Sequence, residues 1–294
     1  MEEDKKSCFI CGRPMSLKFK SNYSDNKTDS FAFASRKTPD YMHFDLYECQ
    51  SCKVLSAEKV FETVDLNKRY KEADFDSTSE AQFASKTYIE YFVKELPQFV
   101  PEKIMDIGTG EGSFLKEAIR MWKGVAIVGV EPSEAPVKAA DASIKDKIIN
   151  EPFCSSNFNE SEFDIVSCFQ TVEHIPDSLD LLNGIHRILK HNGYAYFVCH
   201  NYRSTVNRFL GLKSPIYDIE HLQIYSKTSI KLLFEKAGYR NVKLFSIKNR
   251  YPLTYWIKLL PIPAKMKSVI NKLPFTKNLI VGINVGNIGV LAQK

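Results

Sequence analysis

The stretch 104–114, IMDIGTGEGSF, constrains the fold of this chain more than any other. It opens on alternating apolar residues, turns through Gly108, Gly110 and Gly112, and runs into a helical pattern. Glycine at a strand-to-helix turn permits tight or positive-φ geometry and lets a ligand approach the backbone. Asp106 ends the strand with a carboxylate at the same place, and the next apolar run, 125–130, ends in Glu131. An acidic residue about 20 positions beyond a glycine-rich turn is placed to accept hydrogen bonds from ribose hydroxyls.

A glycine turn alone often binds nothing; the second acidic strand end strengthens the signal. NAD, FAD and S-adenosylmethionine all remain open on these two features. The spacing is G-x-G-x-G, whereas dinucleotide sites favour G-x-G-x-x-G with a pyrophosphate at the helix N-terminus. A carboxylate at Asp106 would repel a pyrophosphate and suits a cationic, amino-acid-bearing ligand. Taken together, DIGTGEGSFL, VGVEPS and FDIVSCFQTVEHIPD resemble the class I S-adenosylmethionine-dependent methyltransferases, in the style of the bacterial branch that modifies sugars, quinones and small metabolites. The resemblance covers roughly 101–246. It implies that Asp106 and the loop of Gly108, Thr109, Gly110 and Gly112 hold the methionine part of the cofactor. It further implies that Glu131, followed by Pro132, meets the ribose, and that Phe169, Gln170 and His174 line the cofactor pocket.

Periodicity supports an alternating α/β chain. Strands are expected at 103–107, 125–130, 147–150, 163–169 and 194–200, with helices at 112–122, 133–141 and 178–190. Ser226 is the expected cap of a helix at 229–237 that Gly238 ends, and strands follow at 240–247 and 286–292. Such alternation gives a parallel sheet covered on both faces. With the resemblance, the expectation is a Rossmann-like seven-stranded methyltransferase sheet, mostly parallel, with its last strand antiparallel. Ligands of open parallel sheets bind at the carboxyl ends of the strands. Asp106, Glu131, Asn150, Gln170 and His200 all lie at such ends; for Asn150, contact with the adenine edge and a turn-capping role stay open.

The first 60 residues have a different character. Cys8-x-x-Cys11 and Cys49-x-x-Cys52 form two pairs separated by 37 residues. Each pair can present two thiolates to one ion, and four thiolates suit tetrahedral zinc, with iron the alternative. A strand at 41–48 leads into the second pair. The expectation is a small zinc ribbon over 1–60 whose metal is structural, because four cysteine ligands leave no open position for chemistry and a module this small has little core of its own. A helical lead or lid over 61–100 follows, with Ser79 as helix cap and Tyr70 either facing the site or packing. The methyltransferase domain occupies 101–294. The charged N-terminus, MEEDKKSCF, lacks the apolar core of a secretory signal, and no apolar run is long enough to span a bilayer. A cytoplasmic protein with reduced cysteines is expected.

Two further stretches bear on the acceptor. After the fourth strand, FQTVEH stands where enzymes that methylate base amines carry an Asn/Asp-Pro-Pro-aromatic motif. Farther on, YDIEHLQIYS contains Glu220 and His221, the best acid/base pair in the chain, since imidazole titrates near neutrality and a carboxylate can orient it. This stretch resembles the E-H-L-x-x-[FY]-S of the sugar- and metabolite-modifying branch; within it, the sugar C-methyltransferases also carry an N-terminal zinc module but have a large extra C-terminal domain that this chain lacks. The resemblance implies acceptor deprotonation by Glu220 and His221 and a sugar or nucleotide-sugar acceptor, with C-, O- or N-methylation undecided. The net charge of +5 is uneven: 236–294 holds eleven Lys and Arg and no acidic residue, leaving 29 basic against 35 acidic residues before it. The basic, amphipathic insertion at about 251–280 suits covering an acceptor or lying on an anionic membrane surface. An RNA acceptor is a weaker alternative, because the ribbon is not basic and no arginine-aromatic stripe appears. A non-catalytic zinc-ribbon scaffold is weaker still, because Asp106, the glycines and Glu131 are intact.

Overall fold

The computed structural model describes residues 6–24, 33, 40–57, 63–76, 78–259, 266, 276 and 279–294. Most of the expected insertion at about 251–280 lies outside the described residues. The chain begins with β1 (Met15–Phe19), β2 (Leu46–Cys49) and β3 (Leu55–Ala57), an antiparallel set in which β2 runs into the second cysteine pair and β3 leaves it. β2 starts later than the sequence pattern predicts. Tyr41 has φ 56°, and the amides of Met42 and His43 donate to the side chains of Asp40 (2.7 Å) and Asn22 (2.8 Å) instead of a strand ladder.

Two helices follow, α1 (Thr63–Glu72) and α2 (Thr78–Glu95). Ser79, the expected cap, instead lies in the first turn of α2, where its hydroxyl donates to Glu80. α2 is a core helix: Tyr88, Ile89 and Phe92 are buried against Phe114, Trp122 and Tyr196. The alternating part then runs β4 (Lys103–Ile107), α3 (Ser113–Met121), β5 (Ala126–Val130), α4 (Glu134–Ala139), β6 (Ile148–Ile149), β7 (Phe163–Phe169), α5 (Ser178–Ile188), β8 (Leu189–Cys199), α6 (Thr205–Leu210), β9 (Gln223–Ile224), α7 (Lys227–Lys236) and β10 (Arg240–Ser246). It closes with β11 (Asn249–Pro252), α8 (Leu253–Leu259), β12 (Ile280–Ile283) and β13 (Ile288–Gln293).

Among the described residues the main sheet has seven strands in the order β10-β13-β8-β7-β4-β5-β6. All are parallel except β13, which is antiparallel to both its neighbours, as the sequence predicts. The expected caps of α7 hold: Ser226 and Ser229 form a reciprocal capping box, and Gly238 follows with φ +87°. β8 differs from expectation. It starts directly after α5, and Asn192-Gly193 is a kink within it rather than a turn before it. Asn192 has φ 65°, and a Cβ on Gly193 would sit 2.9 Å from the carbonyl of Lys190, which only glycine avoids. No helix among the described residues is long and apolar enough to cross a membrane.

The cysteine-bearing sheet is joined to the main domain. β9, from the segment after β8, pairs with β3 through Leu55↔Ile224 and Ser56↔Gln223, making a four-stranded sheet β1-β2-β3-β9. Gln223 is buried and fully used. Its amide oxygen accepts from Ser178 (2.8 Å) and Tyr225 (2.6 Å), and its amide nitrogen donates to the carbonyl of Pro176 (2.8 Å). The neighbouring amide of Leu222 donates to the carbonyl of Glu173. One short strand thus binds the ribbon, the loop after β7 and the start of α5. Replacing Gln223 by Leu strands two buried hydroxyls, those of Ser178 and Tyr225, and frees the Pro176 carbonyl. We expect a loss of about 2–4 kcal/mol in unfolding free energy, measured by urea denaturation.

Candidate active site

The carboxyl ends of β4, β5 and β7 bring the predicted cofactor residues to one edge. Asp106 is buried and accepts a hydrogen bond from the Ser167 hydroxyl at 2.7 Å. Burial pushes its carboxyl up to about 7; the hydrogen bond offsets this in part, and the nearby charge of Glu131 adds to it. Gly108, at φ +70°, has no room for a side chain: a Cβ would lie 2.3 Å from the Thr171 hydroxyl. Gly112, at φ +81°, caps α3 against Ile144 under the same restriction. The loop is tied to the end of β5, because Glu131 accepts from the amides of Gly110 and Ser133, both at 2.9 Å. Burial raises the Glu131 carboxyl as well, against the pull of those two amides. Thr109 is buried in the same loop.

Asn150 is exposed, but its side chain folds back onto the end of β5. Its amide donates to the carbonyls of Glu131 (2.8 Å) and Ser133 (3.2 Å), fixing the β5 turn. Pro132 and Asn150 line an open cleft of about 530 Å³ together with Asn67, Lys68 and Lys71 of α1. Phe169 packs its ring between Tyr88 (4.6 Å) and Phe114 (4.7 Å). Gln170 is held in the left-handed region at φ 52°, a costly conformation for a residue with a side chain. Its amide oxygen is buried with no hydrogen-bond partner among the described residues. Two buried carboxylates that repel each other and an orphaned amide oxygen fit a ligand carrying positive charge and hydrogen-bond donors. S-adenosylmethionine, with its sulfonium, ammonium and ribose hydroxyls, has that chemistry.

Beside this edge lies a cluster of three histidines. The rings of His174 and His200 stand 5.0 and 5.1 Å from that of His221. His221 Nδ1 lies 2.9 Å from the carbonyl of Ile216, so Nδ1 carries the proton and Nε2 the lone pair. His174 Nε2 lies 2.9 Å from the carbonyl of Gln170, which leaves Nδ1 as its lone-pair nitrogen. That Nδ1 faces the Tyr70 hydroxyl at 3.2 Å and Glu220 Oε2 at 3.6 Å. Glu220 therefore faces His174 across the site, not simply its neighbour His221 in sequence, and the two form an ion pair only when His174 carries a proton on both nitrogens. His200 is anchored by Asn287 (3.1 Å), and burial lowers its pKa to about 4, so it is neutral at physiological pH.

The sequence assigns no role to Ser167 or Asn287, and places Glu173 only within the 169–174 pocket segment, without a role of its own. Glu173 is fully buried, accepts from the His200 amide, has a second oxygen without a hydrogen-bond partner among the described residues, and is pushed up to about 7 by burial. A buried acid next to an expected pocket histidine is the signal that would have found it.

The four cysteines converge. Cys8 and Cys52 sulfurs lie 3.5 Å apart and those of Cys11 and Cys49 3.4 Å apart, with all four within 4.8 Å of one another. Thiolates about 2.3 Å from a tetrahedral ion stand roughly 3.8 Å apart, so the set fits one metal ion. The two knuckles repeat each other: the amide of Gly12 donates to the carbonyl of Cys8, and that of Lys53 to the carbonyl of Cys49.

A methyltransferase-domain family model matches residues 78–244. Among curated proteins, the chain is 28% identical to a ubiquinone biosynthesis O-methyltransferase of Pseudomonas syringae pv. tomato, over 40% of this chain and 50% of that one. It is 27% identical to the enzyme of the same name from Histophilus somni, over 42% and 52%. The chain thus spans about half the length of the curated relatives it matches. A solved S-adenosylmethionine-dependent methyltransferase from Archaeoglobus fulgidus shares the fold, with a TM-score of 0.50 and 18% identity over 79% of this chain and all of that one. A match over more than half of the chain, on this sheet order and this edge, places the protein in the methyltransferase-domain family, and it carries the fold of the S-adenosylmethionine-dependent methyltransferases.

Proposed function

We propose that this protein moves a methyl group from S-adenosylmethionine to a small polar acceptor, with a sugar or nucleotide sugar as the favoured class. The observation that carries the reading is the convergence of Glu220, His221 and His174 beside the Asp106 edge. When bound, the cofactor supplies an electrophilic methyl group on sulfur; the chain's own residues hold it and manage the acceptor proton. In this reading Asp106 faces the methionine ammonium, Gly108, Thr109, Gly110 and Gly112 shape the turn around it, and Glu131 meets the ribose. Pro132, Asn150, Phe169 and Gln170 bound the pocket.

His221 takes the acceptor proton at Nε2, which its Ile216 hydrogen bond leaves free of hydrogen. Glu220 stabilises positive charge on the histidines as the proton arrives, and Tyr70 and His174 hold the acceptor's polar groups in place. The enzyme contributes position and proton removal, worth several orders of magnitude between them. The curated relatives are named O-methyltransferases, which supports a hydroxyl as the methylated group. The four-cysteine centre is proposed to hold a structural zinc ion; it is closed to substrate and supports the acceptor edge through β3 and β9. The division into ribbon, helical lead and methyltransferase domain belongs to the same reading.

Three outcomes test it. Calorimetric titration should show binding of S-adenosylhomocysteine that strengthens as pH rises through about 7, because Asp106 must ionise to meet the ammonium; Asp106→Asn should bind weakly at every pH. His221→Ala and Glu220→Gln should lower kcat on the true acceptor by about 10²–10⁴-fold while leaving that binding intact; unchanged turnover removes the base assignment. Purified protein should contain stoichiometric zinc by elemental analysis, and a strong chelator or Cys49→Ser should lower its Tm by several degrees, as expected when metal binding contributes to folding.

A further inference from the structure

The segment 203–213, between the end of β8 and the Glu220–His221 stretch, is built inside out. Asn207 of α6 is 3% exposed, while Phe209 is 89% exposed and Val206, Leu210 and Leu212 are 40%, 37% and 45% exposed. A surface helix ordinarily buries its apolar stripe and shows its polar face. Here the polar residue faces inward, and a set of hydrogen bonds keeps it there. Asn207 donates to the carbonyl of Asn201 (2.8 Å) and accepts from the Ser214 hydroxyl (2.8 Å), and its amide donates to the Ser204 hydroxyl (3.2 Å). Gly286, three residues after exposed Ile283, is seated so close to Ser204 that a Cβ would meet its hydroxyl at 2.2 Å. The apolar tip is therefore held rigidly outward from both sides.

Arg203, Arg208 and Lys213 are exposed around the tip, Arg203 with the Glu48 carboxylate 3.8 Å away, and no acidic residue occurs in the sequence between Asp180 and Asp218. We propose that this segment docks on an anionic lipid bilayer, with Phe209, Val206, Leu210 and Leu212 entering the interface and the three basic residues meeting headgroup phosphates. Three considerations select the bilayer. The apolar tip offers on the order of a few hundred Å², below the roughly 800 Å² per partner of a stable protein interface. Two-fold pairing with a second copy would set the same positive charges against each other. A fluid interface takes a protruding phenylalanine without a matching pocket, and anionic lipid adds attraction to each basic residue. The proposal does not depend on the identity of the acceptor.

The test is co-sedimentation of the full chain with vesicles of phosphatidylcholine alone and of phosphatidylcholine with phosphatidylglycerol, at low and high salt. The expected result is binding to the anionic vesicles only, weakened by salt and reduced at least about tenfold in Phe209→Asp and in Arg208→Glu, as loss of an interfacial aromatic and of a basic contact requires. Both variants should keep the circular dichroism and the S-adenosylhomocysteine affinity of the parent, so that a lost fold or a lost cofactor site is told apart from lost docking. Absence of binding to anionic vesicles, or equal binding by parent and variants, overturns the proposal. So does sedimentation velocity showing a dimer of the parent that Phe209→Asp dissociates, which would assign the tip to a second copy.

Discussion

The side chain of Gln223 is the interaction on which the placement of Glu220 and His221 depends. A two-residue strand makes few backbone bonds, and β9 alone would hold little. What fixes it is a buried amide whose two ends are both used, by Ser178 and Tyr225 on one side and Pro176 on the other. A buried amide left half-satisfied costs more than it contributes, so the local arrangement has one low-energy solution. That solution places the segment with Glu220 and His221 beside the loop that carries Glu173 and His174. It also sets β3, which starts three residues past Cys52, against the same strand. Order in the cysteine centre and order at the acceptor edge are therefore mechanically linked.

The polar chemistry of the edge follows one pattern. Polar side chains of the edge are held by backbone atoms: the carbonyl of Ile216 on His221, that of Gln170 on His174, and the amides of Gly110 and Ser133 on Glu131. Each such bond fixes which atom faces the open side. Asp106 and Glu173, which meet no cation among the described residues, carry raised pKa values because burial favours their neutral forms. The protein bears a folding cost here that a positively charged ligand relieves, consistent with ligand sites being less than optimal for stability.

Much of the sheet was legible because parallel strands buried on both faces read as apolar runs, and each of these ends in a punctuating residue. The strand 163–169 coincides with β7, and α7 has the expected capping serine and terminating glycine. The misjudged places have local causes. At 41–45, side-chain hydrogen bonds replace the ladder; at Asn192-Gly193 a glycine permits a kink inside a strand rather than a turn before it. α6 escaped notice because its exposed face is apolar and its buried face polar, the reverse of what periodicity detects.

The sequence by itself determined the strand-and-helix alternation, the glycine turn between two acidic strand ends, and the paired cysteine knuckles. These are short-range features, set by residue type and spacing within a few turns of chain. Only the tertiary structure decided that Glu220 faces His174 rather than serving its neighbour alone, that His200 and Glu173 join them, and that the cysteine sheet borrows a strand from the far side of the chain. The partners in these contacts are separated by 21 to more than 150 residues, and their meeting is fixed by sheet order and by the need to satisfy buried polar groups, neither of which a linear pattern encodes.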